Sequence, residues 1–153
     1  TTNDVFVANR RNDANITTIQ QATAANIWGS ALPYTIVGTG GSNVTEFGID
    51  TSIANSGPFS SIVFDIAQPQ VGGTGGVWEY WDGSAWTALT VFRDETDSFL
   101  NTGVRVFSFV QPNDWATNTP IGITDGYFIR FRYATSNATQ AVIIQNFQPY
   151  TVA

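Results

Sequence analysis

Alternation between apolar and polar residues, in short runs, is the feature that most constrains how this chain folds. Between residues 62 and 67, Ile62, Phe64 and Ile66 occupy every second position, which places them on one side of an extended strand. Comparable runs lie at residues 5–8, 34–38, 77–81, 86–91, 104–110, 127–133 and 141–147, separated by Gly, Pro, Asn and Asp. This spacing is typical of all-β sandwiches and barrels. We expect an all-β chain forming an antiparallel β-sandwich, jelly-roll-like, with a strand order that periodicity leaves open.

One segment favours a helix instead. Residues Ile16–Ile27 read ITTIQQATAANI, and the second half of this run is rich in Ala and Gln. Both residue types have high helix propensity. The first half is β-branched, which favours strands. The segment predicts one helix within an otherwise β-structured chain.

The first 58 residues differ from the rest of the chain. Residues 14–45 contain no charged side chain, whereas solvated tails normally carry charge. We therefore predict an extended N-terminal arm with the first strands over residues 1–58, and a β-sandwich body over residues 59–153. Part of the arm is expected to contact neighbouring subunits; the alternative is that it adds strands to its own sandwich. The candidate assembly contacts are Val5, Phe6, Val7, Ile16, Ile19, Ile27, Trp28, Tyr34 and Ile36.

The composition removes most catalytic chemistry. The chain has no His and no Cys, so imidazole bases, thiolate nucleophiles and the usual transition-metal ligands are absent. Its basic residues are six Arg, against twelve Asp and Glu. A net charge of −6 does not make the basic surface of a nucleic-acid binder, and no apolar run is long enough to cross a bilayer. We expect no enzyme, cofactor, metal, nucleic-acid partner or membrane association.

Two groups of charged residues have open interpretations. Asp94, Glu95 and Asp97 could supply hard oxygen ligands to Ca²⁺, but a solvated acidic loop is the simpler interpretation. Arg130 and Arg132 lie opposite Ile129 and its neighbours on a strand. They could pair with Asp65 or Glu79 across the sheet, or with a partner protein.

The most unusual stretch is WEYWDGSAW, residues Trp78–Trp86. A four-residue loop at 82–85 would place Trp81 opposite Trp86 and direct Trp78 with Leu89 to the core face. Trp81 and Trp86 would then share the opposite face. Either they form a stacking pair for a sugar, or they are a cross-strand aromatic pair that stabilises the sheet.

Four pieces of the sequence occur in an order that resembles a known family. The pieces are VWEYWDGSAWTAL, DETDSF, a Gly before VRVFSFVQPNDWA, and YFIRFRY, within Val77–Tyr133. This pattern is similar to a β-sandwich module that recurs in structural proteins of tailed bacteriophages. Phe128 stands where that module usually has Trp, and residues 1–58 lie outside the resemblance.

The resemblance implies a virion structural protein. For a stand-alone chain of 16.6 kDa, it implies a capsid decoration (cement) protein that bridges capsomers. Such a protein would be made in the host cytoplasm and would sit on the outer capsid surface. The implied partners are the major capsid protein and the chain itself, as a homotrimer. The alternatives are a glycan-binding module of a phage tail or extracellular surface that uses Trp81 and Trp86, and a self-assembling fibre or surface-layer subunit.

Overall fold

The computed structural model describes residues 5–11, 15–23, 27–28, 34–36, 44–50, 58–117, 126–136 and 138–150. Within these ranges the regular structure is β-strand throughout, with no helix. The strands in chain order are β1 (Val5–Arg11), β2 (Asn15–Thr23), β3 (Ile27–Trp28), β4 (Tyr34–Ile36), β5 (Val44–Asp50), β6 (Ser61–Gln68), β7 (Thr74–Trp81), β8 (Trp86–Ala88), β9 (Val91–Asp94), β10 (Gly103–Phe109), β11 (Gly126–Ser136) and β12 (Val142–Tyr150). The all-β prediction is confirmed.

The strands form two antiparallel sheets. A seven-stranded sheet has the order β3-β2-β1-β5-β11-β7-β8, and a five-stranded sheet has the order β4-β12-β6-β10-β9. The two sheets pack face to face, as the ring contacts between Phe47 of β5 and Phe64 of β6 show, with centroids 5.3 Å apart. The predicted antiparallel β-sandwich is therefore confirmed.

The strand order is that of a jelly roll. If β4 to β8 and β10 to β12 are lettered B to I in chain order, the two sheets contain the orders B-I-D-G and C-H-E-F. That arrangement defines the jelly roll, an eight-stranded double sheet built from two Greek keys. The strands β1 to β3 extend the seven-stranded sheet beyond β5, and β9 extends the five-stranded sheet beyond β10.

Aromatic side chains fill the space between the sheets. Trp78 stacks on Phe107 with ring centroids 4.0 Å apart, and Phe99 meets Phe131 edge to face at 5.0 Å. Every second residue of β6 points inward: Ile62, Phe64 and Ile66 are buried, as their alternation predicts. Burial of these large apolar surfaces is the main driving force for the fold.

Three sequence-based predictions of local structure are wrong. The predicted helix at Ile16–Ile27 is replaced by β2 and β3, because tertiary pairing with β1 overrides the Ala and Gln propensity. The predicted strand at 86–91 is two strands, β8 and β9, which belong to different sheets. The strand predicted at 77–81 begins three residues earlier, at Thr74, so it includes part of a glycine-rich segment.

The described strands within the first 58 residues pair with the sandwich. β5 lies between β1 and β11 in the seven-stranded sheet, and β4 pairs with β12 in the other sheet. These pairings are the alternative in which the arm adds strands to its own sandwich. Contact of the arm with a neighbouring subunit stays a prediction.

Candidate functional site

The β7–β8 hairpin has the predicted geometry. Trp81 lies opposite Trp86, and Tyr80 lies opposite Thr87. The backbone N–H of Asp82 donates to the carbonyl oxygen of Ala85 at 3.0 Å, which closes the four-residue loop. Trp78, Tyr80 and Leu89 are buried on the core side. The indoles of Trp81 and Trp86 therefore lie on the outer face of the seven-stranded sheet.

The carboxylate of Asp82 organises this turn. Its Oδ1 accepts hydrogen bonds from the backbone N–H of Ser84 and of Ala85, both at 2.8 Å. Its Oδ2 accepts the hydroxyl proton of Thr87 at 2.8 Å. The bonds from Ser84, then those from Ala85 and Thr87, lower the pKa of Asp82 well below its usual range, because they favour the ionised form.

Replacing Asp82 by Ala is expected to lower the melting temperature at neutral pH and to matter less in acid. Because the folded-state pKa is depressed, the contribution of this carboxylate is present above the unfolded pKa of about 4 and is lost as the pH falls through the folded pKa. Thermal unfolding of both proteins between pH 7 and pH 2 measures this difference. If the difference in melting temperature between the natural chain and Asp82→Ala stayed constant from pH 7 to pH 2, the stabilising role of the ionised Asp82 carboxylate would be contradicted.

The two outer-face tryptophans are half-buried and form an edge-to-face pair. Their ring centroids are 5.6 Å apart at an interplanar angle of 67°. The guanidinium carbon of Arg130 lies 4.5 Å from the ring centroid of Trp86, a cation–π contact. One face of the Trp86 ring is therefore occupied by a side chain of the same molecule.

Arg130 links the aromatic pair to a buried ion cluster. Its Nε donates to Oε1 of Glu79 at 2.9 Å, and Nε of Arg132 donates to the same oxygen at 3.0 Å. The side chains of Arg130 and Glu79 are 8% and 11% exposed, and that of Arg132 is 37% exposed. Glu46, also buried, lies opposite Arg130 on β5. The interpretation in which both arginines pair across the sheet with Glu79 is confirmed.

The charge of Glu79 is stabilised by its two partners. Burial raises its pKa, but the hydrogen bond from Arg132, the charge and hydrogen bond of Arg130, and the charge of Arg132 together lower it below the usual value. Glu79 is therefore ionised at neutral pH. Its lone pairs point at guanidinium groups, so it is not placed to act as a general acid or base.

The loop after β10 ties the hairpin to β11. The hydroxyl of Tyr80 donates to Oδ1 of Asp114 at 2.7 Å, and this bond raises the pKa of Tyr80. The backbone N–H of Ala116 donates to the carbonyl oxygen of Trp81 at 3.0 Å. Trp115 is buried and donates its Nε1 proton to the carbonyl oxygen of Phe128 at 3.2 Å. Three of the four motif pieces thus meet in one packed unit.

The acidic loop at 94–97 has a structural explanation. The carboxylate of Asp94 accepts the backbone N–H protons of Thr96 and Ser98 at 2.9 and 3.1 Å. Asp97, Ser98 and Phe99 all have left-handed backbones, with φ of 49°, 55° and 66°. The hydrogen bonds of Asp94 hold this costly conformation. Among the described residues, no group of three or more acidic side chains is arranged to hold a metal ion.

The predicted assembly contacts fall into two groups. Val5, Phe6, Val7, Ile16, Ile19, Ile27, Trp28 and Tyr34 lie in β1 to β4, and their side chains are outside the described part. Ile36 is fully buried in the sandwich core. Its side chain therefore packs inside its own chain and offers no surface to a partner.

Sequence reasoning missed two residues, one buried and one exposed. Glu46 was not predicted to be a buried carboxylate beside Arg130, because it directly follows the uncharged run that ends at Thr45. Phe92, 78% exposed on β9, was also missed, because the predicted strand ended at residue 91 and left Phe92 in no element. A large aromatic residue next to charged Arg93 was the available signal.

Comparisons with known proteins identify no relative. Protein-family models, curated proteins and solved structures all gave no match to this chain. In the described part of the chain, no helix has the length and apolar character needed to cross a membrane. The interpretation of function therefore rests on the chain's own residues and on the phage-module resemblance.

Proposed function

We propose that the protein is a virion structural protein, a capsid decoration protein that stabilises a phage shell by bridging capsomers. The observation that supports this most is the jelly-roll strand order, an architecture used by viral capsid proteins as well as lectins and cupins. The second support is the phage-module resemblance in Val77–Tyr133. In this proposal the partners are the major capsid protein and other copies of the chain.

The state of the motif residues favours a structural role over a catalytic one. Tyr80, Asp82 and Asp94 each hold a neighbouring loop through hydrogen bonds. Glu79 is held by two arginines. These four residues support the chain's own scaffold, which supports the proposal of a protein that acts through surface contact rather than through chemistry. Binding of several copies to one shell would then supply high overall affinity from modest individual contacts.

Binding to capsids tests the proposal directly. Purified protein is added to capsids of the parent phage that lack this protein, and the mixture is sedimented. We expect saturable binding at a fixed number of copies per shell, together with a higher temperature for capsid disruption. Absence of the protein from the capsid pellet, or unchanged capsid disruption, would contradict the proposal.

A glycan-binding module is the second candidate, supported by the half-buried Trp81 and Trp86. The pair is edge to face, and Arg130 occupies one face of Trp86, so the two rings do not form a flat platform. Titration of tryptophan fluorescence with a panel of neutral oligosaccharides tests it, with the double variant Trp81→Ala, Trp86→Ala as the control. We expect no saturable quenching. Saturable quenching that the double variant abolishes would favour the glycan module.

A further inference from the structure

The chain contains two Asp-Gly pairs, the dipeptide in which an aspartate rearranges most readily. One is Asp82–Gly83 in the β7–β8 loop, and the other is Asp125–Gly126, of which Gly126 begins β11. The backbone nitrogen that follows an aspartate can attack the carbonyl carbon of its side chain. Glycine has no Cβ to obstruct this attack. The sequence therefore places a self-modifying pair in the loop that carries the aromatic hairpin.

The rearrangement needs only the chain itself and water. The backbone nitrogen of Gly83 would form a bond to Cγ of Asp82 and lose its proton, while one carboxyl oxygen leaves as water, which gives a succinimide ring. Hydrolysis of the ring returns one water molecule. Opening at one carbonyl restores aspartate, and opening at the other gives isoaspartate, which has one more carbon atom in the main chain.

The geometry of the loop requires both members of the pair. Gly83 has a φ of 103°, a backbone conformation that residues with a side chain rarely adopt. Asp82 supplies the carboxylate that accepts the backbone N–H protons of Ser84 and Ala85, both at 2.8 Å. Replacing either residue would remove a feature on which the turn depends. The reactive pair is therefore imposed by the fold of the hairpin.

Burial does not shield this pair. Gly83, Ser84 and Ala85 are exposed, and Asp82 is only half-buried. Solvent therefore reaches the loop. Protection in the folded chain has to come from the groups that hold the Asp82 side chain.

Hydrogen bonds hold both oxygens of the Asp82 carboxylate. Besides the two backbone N–H groups, Oδ1 accepts the hydroxyl proton of Ser84 at 3.0 Å, and Oδ2 accepts that of Thr87 at 2.8 Å. Ring formation needs a protonated carboxyl, because a carboxylate is a poor electrophile. It also needs the side chain to turn toward the Gly83 nitrogen. The hydrogen bonds oppose both steps, since they favour the ionised form and fix the side chain.

We propose that Asp82–Gly83 is a latent isoaspartate site that the folded hairpin keeps unreactive, and that the Thr87 hydroxyl is the group that protects it. The bonds from Ser84 and Ala85 come from within the loop, and all of them end on Oδ1. Thr87 lies outside the loop, on β8, and its hydroxyl holds Oδ2. Without that hydroxyl, Oδ2 is released for protonation and loss as water.

Rearrangement would alter the hairpin that carries the two outer-face tryptophans. The backbone N–H of Asp82 donates to the carbonyl oxygen of Ala85 at 3.0 Å, and this closure places Trp81 opposite Trp86. One extra main-chain carbon inside a four-residue loop disturbs that register. The protection by Thr87 therefore preserves the surface on which both indoles lie. This inference goes beyond the proposed function and does not depend on it.

Peptide mapping by chromatography and mass spectrometry measures isoaspartate at Asp82 during incubation at neutral pH. The natural chain is incubated folded and in guanidinium chloride, with denatured Asp125 as the internal reference. We expect isoaspartate at Asp82 to form more slowly in the folded chain by about tenfold or more, because one hydrogen bond to a charged group changes an equilibrium by that factor. Equal rates at Asp82 in the folded and denatured chains would overturn the proposal.

Two matched variants test the role of Thr87. Thr87→Val keeps the shape of the side chain and removes its hydroxyl, whereas Thr90→Val makes the same change at an exposed position after β8. We expect folded Thr87→Val to form isoaspartate at Asp82 severalfold faster than the natural chain, and Thr90→Val to match the natural chain. In guanidinium chloride all three chains should react at one rate, so a difference between folded chains reports protection by the fold. Equal rates for the two folded variants, with circular dichroism showing both folded, would overturn the assignment to Thr87. If Thr87→Val does not fold, the comparison of the folded and denatured natural chain still decides whether the hairpin protects the pair.

Discussion

Replacing Glu79 by Ala is expected to lower the free energy of unfolding by about 3 kcal/mol, because a buried charge pair broken on one side leaves the other charge without its partner. Glu79 accepts hydrogen bonds from Arg130 and Arg132, and Arg130 is only 8% exposed. The loss falls at the lower end of the range for buried pairs for two reasons. Arg132 can reach water, and Glu46 lies opposite Arg130 on β5. Urea unfolding at pH 7 measures the change.

An exposed ion pair provides the matched control for Glu79. Arg93 and Glu95 form a contact of 2.8 Å, but the Arg93 side chain is 66% exposed. Arg93→Ala should therefore change stability by less than about 1 kcal/mol. A double-mutant cycle with Glu79→Ala and Arg130→Ala should also give a coupling energy larger than the cycle for Arg93 and Glu95. Equal losses from Glu79→Ala and Arg93→Ala would show that the buried cluster contributes no more than a surface pair.

The depressed pKa of Glu79 adds a pH dependence to this prediction. Its folded-state pKa lies below the unfolded value of about 4.3, so its stabilising effect is present above that pH and is lost as the pH falls through the folded pKa. The difference between the natural chain and Glu79→Ala should therefore narrow in acid.

Local pairing within the hairpin could be predicted from the sequence because few geometries fit it. With Asp82 starting a four-residue loop, the register of Trp81 with Trp86 follows, and so does the side of the sheet that each residue faces. The alternation in β6 likewise determines which side chains are buried, whereas β11 buries residues on both of its faces, Ile129 and Phe131 on one and Phe128 and Arg130 on the other. These predictions use information that lies within about ten residues along the chain.

Strand order could not be predicted from the sequence, because it depends on contacts between residues that are distant along the chain. β4 pairs with β12, and β1 to β3 extend the sheet next to β5. Nothing in the residues of Tyr34–Ile36 indicates a partner more than a hundred positions later. The wrong prediction of a helix at Ile16–Ile27 has the same cause. This segment is held as a strand by the pairing of β2 with β1, a contact that local propensity does not indicate.

The candidate site could be predicted only in part, because its contacts also depend on which strands are neighbours. That Arg130 and Arg132 face away from Ile129 follows from alternation, but the choice of Glu79 over Asp65 depends on which strand neighbours β11. The contacts of the PNDWA segment could not be predicted from the sequence either. Asp114 holds Tyr80 across 34 positions, a contact that only the fold creates.

Replacing Trp78 by Ala is expected to be the most destabilising single change, at about 3–5 kcal/mol, the range for large aromatic residues removed from a packed core. Trp78 is 5% exposed and contacts four aromatic rings, those of Phe47, Phe99, Phe107 and Phe131. Trp78→Phe provides the control: it keeps a stacking ring and removes an indole N–H that is buried without a hydrogen-bond partner, so its loss should be much smaller. Urea unfolding followed by circular dichroism measures both variants. Equal losses for Ala and Phe would show that the N–H, or the full indole shape, matters more than the stacking of Trp78 on Phe107.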